Sequence, residues 1–294
     1  MNDRPGQGAM DPGDAGPPSQ QLSLPDRFSG LLLRLVSKRT TSRPRDYEET
    51  YFRRGASEAR TFLQRFGIPI DFRGKRVLDY GCGYGPLAFH LAQVEGAAAV
   101  TGVDIDQARI DFARQKLSSE YHDLTGSVDF KLPEEVKDGQ FDIVVSKDSF
   151  QHYNDPASAL SQIRQLTAPG GLIAIGFGPL WKSPYGGAID FMTKLPWAHL
   201  IFSEEAIMRE RLRYRPEEKA QTYKDVRGGF NKMTLRQFRQ IVARSGMKVL
   251  SFRANASSGV VGGPSRLLAE IPGWREFFTL NVYVVLSVSN TGVE

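Results

Sequence analysis

The fold is decided by the stretch Val77-Leu78-Asp79-Tyr80-Gly81-Cys82-Gly83-Tyr84-Gly85-Pro86-Leu87. The apolar residues at its start predict a short strand that ends at Asp79. The three glycines at alternate positions allow the backbone to turn tightly and to approach a ligand closely, and Pro86 suits the first turn of a helix. A strand, a glycine-rich turn and a helix in this order predict a nucleotide-binding loop.

The spacing of the glycines separates two kinds of nucleotide. A nicotinamide-binding loop reads G-x-G-x-x-G and places a pyrophosphate at the helix N-terminus, whereas this loop reads G-x-G-x-G, with an acid two residues before the first glycine. Asp79 would repel a pyrophosphate and attract an ammonium group. Asp104 follows 19 residues after Gly85, at the end of the next predicted strand, where its carboxylate can accept hydrogen bonds from both ribose hydroxyls. Ile105 would then lie against the adenine.

Short apolar runs alternate with amphipathic segments from Arg76 onward, which is typical of βα units around a mainly parallel sheet. The predicted strands are 76–80, 98–103, 127–130, 141–146, 172–177, 247–252 and 281–288. Asp106 is expected to cap one helix, a second helix runs from Pro156 to Leu166 before a turn at residues 168–171, and Thr234 to Gln237 reads as a capping box.

The flanking segments give the organisation of the chain. Residues 1–24 contain four prolines and four glycines, so a disordered leader is expected. Residues 25–70 should form an N-terminal helical cap, residues 71–178 a cofactor-binding core, and residues 231–294 the C-terminal part of the sheet. The βα rhythm breaks over 179–230, an aromatic segment that is interpreted as a lid over an acceptor pocket. The first helix of the cap, after Pro25, either packs on the domain or lies on a membrane.

Four segments together resemble the class I S-adenosylmethionine-dependent methyltransferases: Val77 to Leu87, Val103 to Ile105, Phe141 to Ser146 and Leu166 to Gly171. The branch that acts on small molecules in ubiquinone and menaquinone biosynthesis is the most similar one. The resemblance implies a Rossmann-like α/β fold, in which a seven-stranded, mainly parallel sheet has helices on both faces. It also implies S-adenosylmethionine as cofactor and S-adenosylhomocysteine as product.

The resemblance implies which residues bind each part of the cofactor. Asp79 and the backbone of Gly81, Gly83 and Gly85 would hold the methionine moiety, and Asp104 the ribose. The chain departs from the family after the third strand. The segment Phe130 to Glu134 is shorter than the family's acidic adenine-binding segment, which leaves Asp129 and Lys131 as open alternatives there.

The reacting end should follow the fourth strand, because open α/β sheets bind ligands beyond the carboxyl ends of their strands. His152 is the candidate base for a hydroxyl acceptor, the alternative being a structural histidine bonded to the backbone. Tyr185, His199 and Asn231 are candidate acceptor-binding residues, and core packing is the alternative for each. Trp181 and Trp197 could form walls for a flat or apolar molecule.

Composition and charge exclude several classes of protein. With 40% hydrophobic and 24% charged residues, the chain has the composition of a globular protein. A membrane-spanning helix needs about 20 consecutive apolar residues, and the sequence contains no such run. A single cysteine and the lack of an export signal favour a cytoplasmic protein. The four histidines show no metal-ligand spacing, so no metal is expected.

The net charge of +5 is concentrated in residues 209–248, where twelve basic residues face four acidic ones. A solvated helical face is the simpler interpretation, and no nucleic-acid partner is expected. The sequence therefore predicts methyl transfer to a small molecule, with a hydroxyl oxygen as the favoured acceptor. The alternatives are an RNA or protein methyltransferase, a catalytically silent protein that binds the same cofactor, and an NAD-dependent oxidoreductase.

Overall fold

The computed structural model describes residues 26–38, 46–136, 141–255, 267–271 and 273–289. Within them, seven strands form one sheet in the order β3-β2-β1-β4-β5-β7-β6. The strands are β1 (Arg76–Tyr80), β2 (Ala99–Val103), β3 (Val128–Lys131), β4 (Phe141–Lys147), β5 (Thr167–Phe177), β6 (Lys248–Ala254) and β7 (Val282–Ser287). Strands β1 to β5 are parallel, and β7 is antiparallel to both of its neighbours. The predicted seven-stranded, mainly parallel sheet is confirmed.

The described part of the chain contains nine α-helices. They are α1 (Asp26–Val36), α2 (Tyr47–Gln64), α3 (Pro86–Gln93), α4 (Gln107–Ser119), α5 (Pro156–Leu166), α6 (Ala198–Ile201), α7 (Glu204–Arg211), α8 (Leu235–Arg244) and α9 (Arg275–Phe278). The expected caps are present, because Asp106 accepts a hydrogen bond from Ala108 N–H and Thr234 forms a reciprocal capping box with Gln237. The predicted leader, residues 1–24, lies outside the described residues. None of the described helices is long and apolar enough to cross a membrane.

Helices cover both faces of the sheet because successive residues of each buried strand point to opposite sides. Val77 of β1 packs in the cluster formed with α2, α3 and α4, whereas Leu78 packs with α5 and α8. Val144 and Val145 of β4 divide in the same way. The sheet is therefore buried on both sides, which explains why its central strands read as continuous apolar runs.

One local prediction needs correction. The expected turn at residues 168–171 lies inside β5, which begins at Thr167 and not at Leu172. Thr167 pairs with Phe141, and Leu172 pairs with Ile143, so the residues between them form an irregularity in the strand. The positive φ of Gly170, 75°, allows this local bend. The Pro-Gly signal therefore marks a bulge that the sheet accommodates without ending the strand.

The segment of residues 179–230, here called the insertion, has a hydrophobic cluster of its own. Its buried side chains pack around Trp181, Met192 and Tyr223, and Leu33 of α1 joins them. The Lys38 N–H donates to the carbonyl of Met192 at 2.8 Å, which ties the end of α1 to the insertion. Helix α1 and the insertion therefore form one packed unit beside the carboxyl end of β5.

Candidate active site

The glycine loop between β1 and α3 has the strained geometry that its sequence predicts. Gly81, Gly83 and Gly85 have φ values of 82°, 56° and 83°, in the left-handed region that favours glycine. A Cβ atom at Gly81 would lie 2.5 Å from Ser149 Oγ, and one at Gly85 would lie 2.6 Å from the Phe130 ring. At Gly83 no atom lies within 4 Å of that position. The protein packs against the two outer glycines, and the central one faces open space.

Asp79 lies at the carboxyl end of β1, next to this loop, and is 1% exposed. Among the described residues, neither of its carboxylate oxygens has a hydrogen-bond partner. Burial raises its pKa to about 7; the nearby Lys147 opposes this shift, and Asp104 adds to it. Because an unpaired buried carboxylate is costly, a cationic ligand that enters here would relieve the cost. The site therefore fits the ammonium group of an amino-acid ligand.

Asp104 lies at the end of β2, which neighbours β1, and is 7% exposed. Its Oδ2 accepts the Gly83 N–H at 2.9 Å, and its Oδ1 accepts the Asp106 N–H at 3.0 Å. Arg109 Nη1 also lies 3.5 Å from Oδ2, so Oδ1 is the oxygen with a lone pair for a further donor. Ile105 is next in sequence, and its side chain is 80% exposed, which is unusual for a large apolar residue. The pair fits a ligand that has vicinal hydroxyls beside a flat apolar ring.

The turn after β4 is fastened to the glycine loop by two side chains that the sequence analysis did not identify. Ser149 Oγ donates to the carbonyl of Gly81 at 2.9 Å, and Tyr153 OH donates to the carbonyl of Tyr80 at 3.2 Å. Asp148, between them and the strand, has a φ of 51°. The carboxyl ends of β1 and β4 are thereby held together at the point where the strand order reverses, which is the usual ligand crevice of such sheets.

His152 lies in this turn and is fixed by one hydrogen bond. Its Nδ1 donates to the carbonyl of Gly229 at 2.6 Å, so the lone pair of the neutral ring is on Nε2. Burial lowers the pKa of His152 below 6.5, and the hydrogen bond to Gly229 opposes this shift only in part. The ring is therefore neutral at pH 7 and is able to accept a proton at Nε2. Nδ1 has the backbone hydrogen bond that the structural interpretation expects, and a role as base stays a prediction for Nε2.

The structure gives Asn231 and His199 structural contacts. The amide nitrogen of Asn231 donates to the carbonyls of Phe150 and Tyr153, each at 2.9 Å, so both of its amide hydrogens are used inside the chain. His199 is 3% exposed and donates from Nε2 to the carbonyl of Trp181. Burial lowers its pKa to about 4. Tyr185 is half-buried in the insertion.

The end of the insertion contacts both the segment after β2 and the turn after β4. Arg227 Nη2 lies 3.0 Å from Asp106 Oδ2, beside Asp104, and Gly229 holds His152. The Phe230 ring lies 5.8 Å from the His152 ring and 6.2 Å from that of Trp181. Nothing in the spacing of the basic residues distinguishes Arg227 from the others in 209–248, which is why sequence reasoning missed it.

Comparison with known proteins gives matches in the cofactor-binding core. A family model described as a methyltransferase domain matches residues 71–179. Ribosomal protein L11 methyltransferase of Burkholderia mallei is 40% identical over 103 residues, which are 35% of this chain and 31% of that protein. Ubiquinone biosynthesis O-methyltransferase of Pseudomonas aeruginosa is 38% identical over 105 residues, or 34% of this chain and 43% of that protein. The chain thus spans less than half the length of these curated relatives.

A solved structure extends the likeness to most of the chain. An S-adenosylmethionine-dependent methyltransferase from Mesorhizobium loti is 16% identical, covers 80% of this chain and 99% of its own, and has a TM-score of 0.51. At this level of identity, the likeness concerns the fold alone.

Proposed function

Because residues 71–179 are a methyltransferase domain, we propose that this chain is a class I S-adenosylmethionine-dependent enzyme that transfers the methyl group of its cofactor to a hydroxyl oxygen of a small molecule. One observation carries the proposal above all others. Asp79 is buried with two unpartnered carboxylate oxygens beside three glycines in the left-handed conformation. This combination suits an amino-acid ammonium and disfavours a pyrophosphate, because the carboxylate would repel the phosphates.

In the proposed mechanism, Asp79 would bind the ammonium of the cofactor, the backbone at Gly83 would hold its methionine moiety, and Asp104 would accept hydrogen bonds from the ribose. When bound, the cofactor would supply an electrophilic methyl group on a sulfonium centre, with neutral sulfur as the leaving group. His152 Nε2 takes the hydroxyl proton. The in-line geometry needs an aligned and desolvated acceptor, so alignment by the insertion is part of the mechanism.

The rings of Trp181, Tyr223 and Phe230 pack against one another in the buried core of the insertion. Phe230 also lies 5.8 Å from the His152 ring, so this core holds the turn after β4 in place. One observation supports a small acceptor over a nucleic acid. Five basic residues of 209–248 form ion pairs within the chain, which leaves less positive charge for a nucleic acid. They are Arg209, Arg211, Arg213, Arg227 and Lys232.

Incubation of the full chain with S-adenosylmethionine labelled at the methyl group tests this proposal. The acceptors are panels of phenols, aliphatic alcohols and amines, with total RNA and ribosomal protein as separate reactions. Label in a hydroxyl compound, lost in the variant Asp79→Asn, is the expected result. Label only in RNA or in protein would contradict the small-molecule acceptor, and label only in amines would contradict the hydroxyl. Cofactor binding without any transfer would favour a catalytically silent protein.

A further inference from the structure

Helix α1 has a buried side and, opposite to it, an exposed apolar side. Ser29 and Leu33, one turn apart, are fully buried, and Leu33 packs in the cluster of the insertion. Leu31 and Leu35 follow each of them by two residues, which corresponds to about 200° around a helix. These two leucines are 64% and 75% exposed. A helix with one packed side normally presents polar residues on the other side, so the outward apolar face of α1 needs another explanation.

The exposed face extends beyond these two leucines. Leu32 and Val36 flank them and are 42% and 43% exposed. Together the four side chains form a continuous apolar strip along two turns, here called the α1 strip. Its residues are Leu31, Leu32, Leu35 and Val36.

Basic groups surround the α1 strip. Arg34 projects from the same helix with a 61% exposed side chain. Its Nε lies 3.7 Å from a Glu210 carboxylate that also pairs with Arg213, so two basic groups share one acid there. Lys38 is exposed just after the end of the helix. Arg209 of α7 also lies against α1, since its Nη1 is 3.8 Å from a Cβ position built on Gly30, but it pairs with Glu205 and adds little net charge. In the sequence, residues 37–45 contain four basic residues and no acidic one. The excess of basic residues in α1 and in the sequence that follows it therefore favours a negatively charged partner.

We propose that the α1 strip docks the protein on the surface of an anionic lipid membrane. An interfacial helix needs an apolar face that enters the acyl boundary and basic residues that face the headgroups, and either signal alone gives only weak binding. Both are present here on one helix and its neighbours. A protein partner with an apolar groove would use the same leucines, but it would not by itself require the excess of basic residues in and just after α1.

Hydrogen bonds join the end of α1 to the insertion, so a contact between α1 and a membrane would also position the insertion. Tyr214 OH donates to the carbonyl of Lys38 at 2.5 Å, and Thr193 Oγ1 donates to the carbonyl of Val36 at 3.0 Å. Both donors belong to the insertion. A membrane-bound α1 would therefore hold the insertion beside the lipid surface.

Sedimentation of the full chain with lipid vesicles tests the inference. Vesicles of phosphatidylcholine alone are compared with vesicles that contain about one third phosphatidylglycerol, at low and high salt. We expect binding to the anionic vesicles that weakens with salt. The double variant Leu31→Ser/Leu35→Ser should bind at least about tenfold more weakly, and Arg34→Gln about fivefold more weakly. Both should keep the S-adenosylhomocysteine affinity of the natural chain, and the double variant should also keep its Tm.

The matched control is Val94→Ser, which changes a 48% exposed apolar residue in the connection after α3. It should bind vesicles like the natural chain. No binding to anionic vesicles, or equal binding to neutral ones, would overturn the proposal. So would a concentration-dependent dimer in light scattering that the double variant abolishes, because the strip would then cover a second copy of the chain.

Discussion

The substitution Asp79→Asn separates stability from cofactor binding at one residue. The carboxylate is buried and has no hydrogen-bond partner in the part of the chain that the structure describes, so the amide should be tolerated better than the charge in the free protein. The same change removes the partner that we assign to the ammonium of the cofactor. We therefore expect a variant that is more stable than the natural chain and binds S-adenosylhomocysteine at least about a hundredfold more weakly, as for a buried ion pair that loses one member.

The magnitude and the pH window follow from the raised pKa. In the folded protein the pKa of Asp79 rises from 3.8 to about 7 because of burial. Above pH 4 the unfolded chain is ionised at little cost and the folded chain is not, so the penalty on folding grows up to pH 7 and is then constant. The Asn variant should be more stable by at most about 4 kcal/mol at pH 7. At pH 4 the two proteins should have similar stability.

Cofactor affinity should depend on pH in the opposite sense. The ionised fraction of Asp79 falls as the pH drops below about 7, so the natural chain should bind S-adenosylhomocysteine about fivefold more weakly at pH 6 than at pH 7. The Asn variant should show no such dependence. Methylthioadenosine, which lacks the amino group, should bind both proteins equally.

Thermal unfolding between pH 4 and pH 8 and calorimetric titration with the two ligands measure these effects. The control is Asp123→Asn, which neutralises an exposed carboxylate in the turn before β3, and it should change neither property. A variant that binds S-adenosylhomocysteine like the natural chain would refute the ammonium assignment. An Asn variant that is less stable at pH 7 would refute the account of Asp79 as an unpartnered buried charge.

Three further substitutions test other parts of the site. Asp104→Ala should weaken S-adenosylhomocysteine and methylthioadenosine alike, by at least about tenfold in calorimetry; unchanged affinity would contradict the ribose assignment. His152→Gln should lower the rate of methyl transfer about a hundredfold and leave the S-adenosylhomocysteine affinity nearly unchanged. In the natural chain the rate should fall at a pH below 6.5, because the His152 pKa is lowered, and the variant should not show this fall. An unchanged rate would leave the residue a purely structural role. Gly85→Ala should lower the free energy of unfolding in urea by about 2 kcal/mol or more, because its Cβ would lie 2.6 Å from Phe130. Gly74→Ala, at a φ of 68° with no described atom within 4 Å, should lower it less. Equal effects would show that packing against Phe130 is unimportant.

The sequence was most informative where one residue type alone satisfies the local geometry. The three glycines predict the tight loop because few other residues adopt a positive φ. Asp106 and Thr234 predict the starts of two helices because the first N–H groups of a helix need side-chain acceptors. The strands are recognisable because helices bury both faces of the sheet. These are local signals, and the structure confirms them to within a few residues.

Contacts between distant segments were not predictable in this way. Asn231 has a polar side chain suited to a ligand, but its amide hydrogens bind the carbonyls of Phe150 and Tyr153, and only the folded chain brings them together. The ion pair of Arg227 with Asp106 joins residues 121 apart. The start of β5 was misplaced because a Pro-Gly turn signal is the same in a bulge as in a loop.

The central claim is that the loop from Asp79 to Gly85, with Asp104, binds S-adenosylmethionine. Calorimetric titration of the full chain with S-adenosylmethionine, S-adenosylhomocysteine and NAD in parallel tests it most directly. The account predicts micromolar binding of both adenosyl ligands and no binding of NAD. Binding of NAD in their place, or of none of the three, would contradict it.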